Sequence, residues 1–327
     1  MMNRLLRMGC ACFLVCVLCV CGSRTKESTV AVIPKGTTLV YWKGVEAGAA
    51  QASKDLGIKI LWIGTEKEDD RQQQIALVDN QVMNGISGIV LAPCDGAALL
   101  RPVEAAARKN IPVIIMDSDL YDSDRITVSF VATDNEESGR LAAREMARML
   151  QSRGKLVVLR WQENSASTEN RAKGFLDEVK KYPGLEVVSG DQYGGATETQ
   201  TQQASENLLF RFRTENGTLA VQGIFCVNEG TTYGMLQALR RQRLAGKVKF
   251  IGFDSSEPFL DALKSGEMDG LIVQNPYKIG YLGVSTMVRH LKGESVPKRI
   301  DTGVTFVTPS DLKKPEIQQL LHPVSKP

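Results

Sequence analysis

The chain of 327 residues carries 40 basic and 37 acidic side chains, a net charge of +3. Apolar content of 43% and charged content of 24% are ordinary for a globular protein, and the length favours two domains over one. So even a charge balance excludes a nucleic-acid surface, which needs a concentrated basic face.

Residues 1–21 read as an export segment. Arg4 and Arg7 form a positive n-region, and Met8 to Val20 is an almost unbroken apolar run. That run is short for a membrane span, which takes about 20 apolar residues. Leu18-Cys19-Val20-Cys21 has the order of a lipobox, with Cys21 as the lipidated residue. Val20 departs from the small residue usual before that cysteine, so Cys19 stands as the alternative, and an uncleaved anchor is a third reading. An acylated cysteine would tie the protein to a membrane surface without spanning it. The paired Cys-x-Cys spacings in this hydrophobic run lack the shaped loops a metal site needs, so no metal is expected. Cys94 and Cys226, far apart in the body, read as buried apolar residues rather than a disulfide.

From Thr29 short apolar runs alternate with amphipathic stretches. Thr29–Ile33, Lys59–Ile63, Gly88–Leu91, Val113–Met116 and Thr127–Ala132 are expected strands. Between them Gln72–Met83 and Ala97–Lys109 are expected helices, the second with Asp95 as its cap. After a helix over Glu137–Gln151 the pattern repeats with Lys155–Leu159, Leu185–Ser189, Gly223–Cys226, Lys249–Gly252 and Gly270–Gln274. Continuous apolar strands alternating with helices imply parallel sheets covered on both faces. The fold class is therefore α/β, with two similar lobes of five strands each and a tight junction near Asp134.

Open parallel sheets bind ligands beyond the carboxyl ends of their strands. The residues there are Lys35, Thr38, Tyr41 and Trp42 after the first strand, Asp117 after the fourth and Asn135 after the fifth. In the second half they are Trp161, Arg171 at the opening of a helix, Asn228-Glu229, Asp254 and Gln274. Planar amides, carboxylates and guanidinium groups with aromatic rings suit a polyhydroxylated ligand. Each residue also has a plainer reading. Asp117, Asp254 and Asn135 could cap helices, Arg171 could be solvated, and Tyr41, Trp42 and Trp161 could be core. No phosphate loop, nucleophile elbow or zinc motif is present, and neither His290 nor His322 lies in a motif, so no enzyme is expected.

Six segments in order resemble the type I periplasmic binding proteins of sugar ABC transporters, the ribose-binding-protein group. They are Gly88–Asp119, Val131–Ala143, Glu169–Phe175, Gly223–Leu239, Lys247–Glu257 and Gly270–Gly283. The resemblance implies that Tyr41 and Trp42 sandwich a sugar ring. It gives Lys35, Thr38, Asp117, Asn135, Arg171, Asn228, Asp254 and Gln274 polar contacts to it. Ser118 stands where the family has Arg, and Glu229 where it has Asp. The implied lobes are 28–134 with 275–303 and 135–274 with 304–322. They are joined by a three-crossover hinge near Asp134–Asn135, Gln274–Asn275 and Gly303. The implied protein is a monomer without cofactor or catalytic residues. It would close on a monosaccharide and deliver it to the membrane subunits of an ABC permease. Presenting the ligand to a chemoreceptor or histidine kinase, or binding another polar ligand, is the rival reading. A repressor of the same fold would need a DNA-binding headpiece where the export segment stands.

Overall fold

The computed structural model describes residues 28–322; the segment expected to direct export, with Cys19 and Cys21, lies outside the described residues. The first part of the chain forms β1 (Thr29–Ile33), α1 (Val40–Leu56), β2 (Lys59–Trp62), α2 (Arg71–Met83), β3 (Gly88–Leu91), α3 (Leu100–Arg108), β4 (Val113–Met116) and β5 (Ser129–Ala132). Next come α4 (Asn135–Met149), β6 (Gly154–Arg160), α5 (Ala166–Val179), β7 (Leu185–Tyr193), α6 (Glu198–Arg211), β8 (Gly223–Cys226), α7 (Glu229–Arg241), β9 (Lys249–Phe253), α8 (Glu257–Ser265) and β10 (Gly270–Gln274). The chain ends in α9 (Pro276–Leu291), β11 (Arg299–Asp301), β12 (Val304–Val307) and α10 (Pro315–Leu321).

Two six-stranded sheets result, in the orders β11-β5-β4-β3-β1-β2 and β12-β10-β9-β8-β6-β7. All pairs are parallel except β10 with β12. Each inner strand is buried on both faces, which explains the continuous apolar runs. Along β1, Val30 and Val32 enter a core shared with α1 and α9, while Ala31 and Ile33 enter one shared with α2 and α3. That alternation is the period of two in a strand. The chain passes between the sheets after β5, after β10 and after β11.

Helix pairs bracket these passages. A side chain at Gly48 of α1 would run into the Tyr277 carbonyl of α9, and one at Gly139 of α4 into the Arg171 carbonyl of α5. Glycine at these crossings lets the backbones meet.

Several expectations need correction. Each sheet has a sixth strand, β11 or β12, short and half-exposed, that carries no continuous apolar run. Tyr41 and Trp42 lie in the first turn of α1, not on a loop. Helix α4 begins at Asn135 and is capped by Asp134, whose side chain accepts the Glu137 N–H. Asp95 accepts the N–H groups of Ala97 and Ala98, but the regular helix starts only at Leu100. Arg171 sits in the second turn of α5 rather than opening it.

Candidate functional site

The carboxyl ends of both sheets face each other across one cleft. Asp117 follows β4 and Asp254 follows β9, and both take left-handed backbone, at φ of 59° and 67°. Their N–H groups bond the Val131 and Ile272 carbonyls of the neighbouring strands, at 3.0 and 2.8 Å. Left-handed backbone costs a non-glycine residue on the order of 1 kcal/mol, and Asp tolerates it better than most. The turn swings each carboxylate off the sheet and into the cleft.

Around Asp117 the charges are paired. Its Oδ2 lies 2.9 Å from Lys35 Nζ, and its Oδ1 accepts the Tyr41 hydroxyl at 2.8 Å. Lys35 Nζ also donates to Ser167 Oγ of the second lobe at 2.8 Å. Arg171 is held on four sides. Nε donates to Asn135 Oδ1 at 2.8 Å, Nη1 to the Val227 carbonyl at 3.1 Å and Nη2 to Gln274 Oε1 at 3.3 Å. Its guanidinium lies over the Phe253 ring, 3.9 Å from the centroid. Burial alone would raise the pKa of Asp117; Lys35 and Arg171 outweigh it and hold the carboxyl below its usual range.

On the other side Asp254 has no ion pair among the described residues. Its oxygens accept Gln274 Nε2 at 2.8 Å and the Glu229 N–H at 3.1 Å. Burial raises its carboxyl, against the pull of Arg171. Glu229 is pushed up to about 8 by burial, opposed by the backbone N–H of Tyr41. Glu68 is raised as well, again by burial first, with Lys35 opposing. Four acidic groups thus share the cleft with two cations, and the two cations gather at Asp117.

The cavity between the lobes has a volume of about 20 Å³. Lys35, Tyr41, Trp42 and Asp117 line it from the first lobe. Arg171, Asn228, Asp254 and Gln274 line it from the second. Asn135 stands behind them, bridging Arg171 and the Asp117 carbonyl. Asn228 spends its side-chain oxygen on the Thr231 N–H, as the cap of α7. Thr38 is elsewhere: it is exposed and bonds the Glu66 carbonyl. Tyr41 and Trp42 do not form two parallel plates. Their rings meet edge to face, 4.9 Å apart at 79°, because consecutive helical residues point about 100° apart. Ser118, at the departure from the family pattern, accepts the Ser167 N–H across the cleft.

Glu68 was not singled out from the sequence. It follows β2, so the rule of strand ends would have found it. Its two oxygens accept the indole N–H groups of Trp42 at 2.6 Å and Trp161 at 2.9 Å. Among the described residues no group of three or more His, Cys, Asp or Glu could hold a metal ion, and no helix is long and apolar enough to cross a membrane.

Comparison with known proteins gives this arrangement its family. The periplasmic binding protein domain matches residues 30–295. The ribose import binding protein of Haemophilus influenzae is 28% identical over 291 residues, spanning 89% of this chain and 95% of that one. A carbohydrate transporter solute-binding protein of Agrobacterium radiobacter, solved with D-arabinose, superimposes with a TM-score of 0.84. It is 37% identical over 91% of this chain and 99% of its own. An ABC transporter solute-binding protein of Agrobacterium vitis with bound D-fucose gives a TM-score of 0.85, at 33% identity over 90% of this chain and 100% of its own. Such proteins bind and hand on solutes and are not enzymes. With two parallel-sheet lobes meeting at a polar cleft, the chain belongs to the type I periplasmic binding proteins, in the ribose-binding-protein-like group.

Proposed function

We propose that the protein captures a monosaccharide between its lobes and delivers it to an ABC permease, working as a monomer tethered to the cell envelope by a lipid on Cys21. The observation that carries this is the convergence of polar side chains from both sheets on one buried cavity. Hydroxyls of a sugar would find acceptors at Asp117 and Asp254 and donors at Arg171, Gln274 and Asn228. Relatives of this chain were solved with D-arabinose and D-fucose, both neutral sugars.

The lobes in this reading are 28–134 with 275–303 and 135–274 with 304–322. A cavity of about 20 Å³ holds one or two water molecules rather than a sugar. Binding therefore requires the lobes to part about the three passages, admit the sugar and close. Closure removes water, which strengthens every hydrogen bond inside.

Thermal-shift measurements against D-ribose, D-arabinose, D-fucose and D-allose test the reading, since a specific ligand stabilises by mass action. At least one of them should raise the melting temperature. Asp254→Ala should then weaken that sugar tenfold or more, about 1.5–3 kcal/mol per charged hydrogen bond lost, while the fold stays intact. Unchanged affinity in that variant removes Asp254 from the site.

A further inference from the structure

Helix α1 begins without a cap of its own. Leu39 occupies the cap position and offers no side-chain acceptor. The missing acceptor arrives from the opposite lobe. Glu229 Oε1 accepts the Val40 N–H at 3.1 Å and Oε2 the Tyr41 N–H at 2.9 Å. The side chain thereby satisfies two of the N–H groups that a helix N-terminus leaves without a partner of its own. Glu68 does the reverse. It sits in the first lobe and accepts the Trp161 indole N–H of the second, while its backbone carbonyl accepts Gln162 Nε2 at 3.1 Å. Both glutamates are 7% exposed, and Trp42 and Trp161 are 2% and 1% exposed.

We propose that Glu68 and Glu229 are reciprocal latches, positioning residues through which the protein holds its own cleft shut before any sugar is bound. Each lobe supplies one glutamate and each lobe supplies the donors for the other. Parting the lobes breaks both sets together, so the closed form is populated in the ligand-free protein and a sugar enters through a minor open form. The inference rests on the hinged-lobe reading above but not on the identity of the sugar.

Small-angle scattering and tryptophan quenching on the ligand-free protein test it. The wild type should scatter with a radius of gyration of about 20 Å, as expected for a compact chain of this length. Acrylamide should quench little of its Trp42 and Trp161 emission, with Trp62→Phe removing the third tryptophan. Glu68→Ala/Glu229→Ala should be larger and more quenchable. Each latch removed should shift the open-to-closed ratio by about tenfold, the combined worth of the hydrogen bonds it makes across the cleft. Saturating D-arabinose should make the variant compact again. If the double variant does not fold, each single variant is read the same way, and the wild type alone remains decisive. A ligand-free wild type as expanded as the variant, with both contracting on D-arabinose, overturns the latch and leaves the hinge standing. Identical scattering from both proteins with and without D-arabinose, despite a thermal shift, overturns the hinge and the latch together.

Discussion

Asp117 and Asp254 occupy matching positions in the two sheets, yet their carboxyls are driven in opposite directions. Lys35 and Arg171 offset burial at Asp117, while at Asp254 the pull of Arg171 and the hydrogen bonds from Gln274 and the Glu229 N–H leave burial dominant. Glu229, facing Asp254 and Glu68, is pushed up to about 8 from an ordinary 4.5. In an open, hydrated cleft it would return toward that ordinary value. Closing therefore takes up protons between those limits. A group raised in the closed form favours closure fully below its open value, and the benefit is lost as pH rises through about 8. Asp117, lowered in the closed form, acts the other way, and its contribution fades only as pH falls below the ordinary aspartate value of 3.8. The ligand-free protein should thus shift from closed toward open as pH rises from about 4.5 to about 8, as small-angle scattering at several pH values would show. Glu229→Gln should flatten that slope. A slope unchanged in the variant would place the titrating group elsewhere in the cleft.

At the level of elements, the site depends on how closely helices cross. Asn135 and Arg171 touch because α4 and α5 approach at Gly139 and Gly174, where an added side chain would meet the backbone of the partner helix. Gly139→Ala should force the two helices apart and lower stability by about 1–3 kcal/mol, read as a fall in melting temperature. Sugar affinity should fall with it, since Arg171 loses its grip on Asn135. Element legibility follows the same physics. The inner strands were readable because burial on both faces demands unbroken apolar runs. The edge strands β11 and β12 were not, because three or four half-exposed residues leave no such trace. The start of α1 was hidden for a different reason. Its cap, Glu229, lies 188 residues further along the chain, so no local signal marks Tyr41 and Trp42 as helical. A separation of 93 residues kept the link between Glu68 and Trp161 out of sight in the same way, whereas the polar strand ends at Asp117, Asp254 and Gln274 could be named from position alone.

For the whole molecule, the two sheets are built alike and finished late. Each receives its last strand only after both have been started, β11 going back to the first and β12 to the second. Thr133 and Thr302 stand side by side where two of the passages run together, their hydroxyls 3.2 Å apart. Deleting 299–322 should loosen both sheets rather than one, seen by hydrogen exchange as lost protection in β5 and in β10. Protection lost from the second sheet alone would show that β11 is dispensable. The interleaving also has a bearing on biosynthesis. A ribosome that has made the first 140 residues has not yet made α9 or β11, which cover and border the first sheet. Neither lobe can mature while the other is being translated, and the usual order of one domain after another is closed to this chain. The polypeptide must stay unfinished almost to its last residues, a condition that suits a protein threaded through a membrane before it folds.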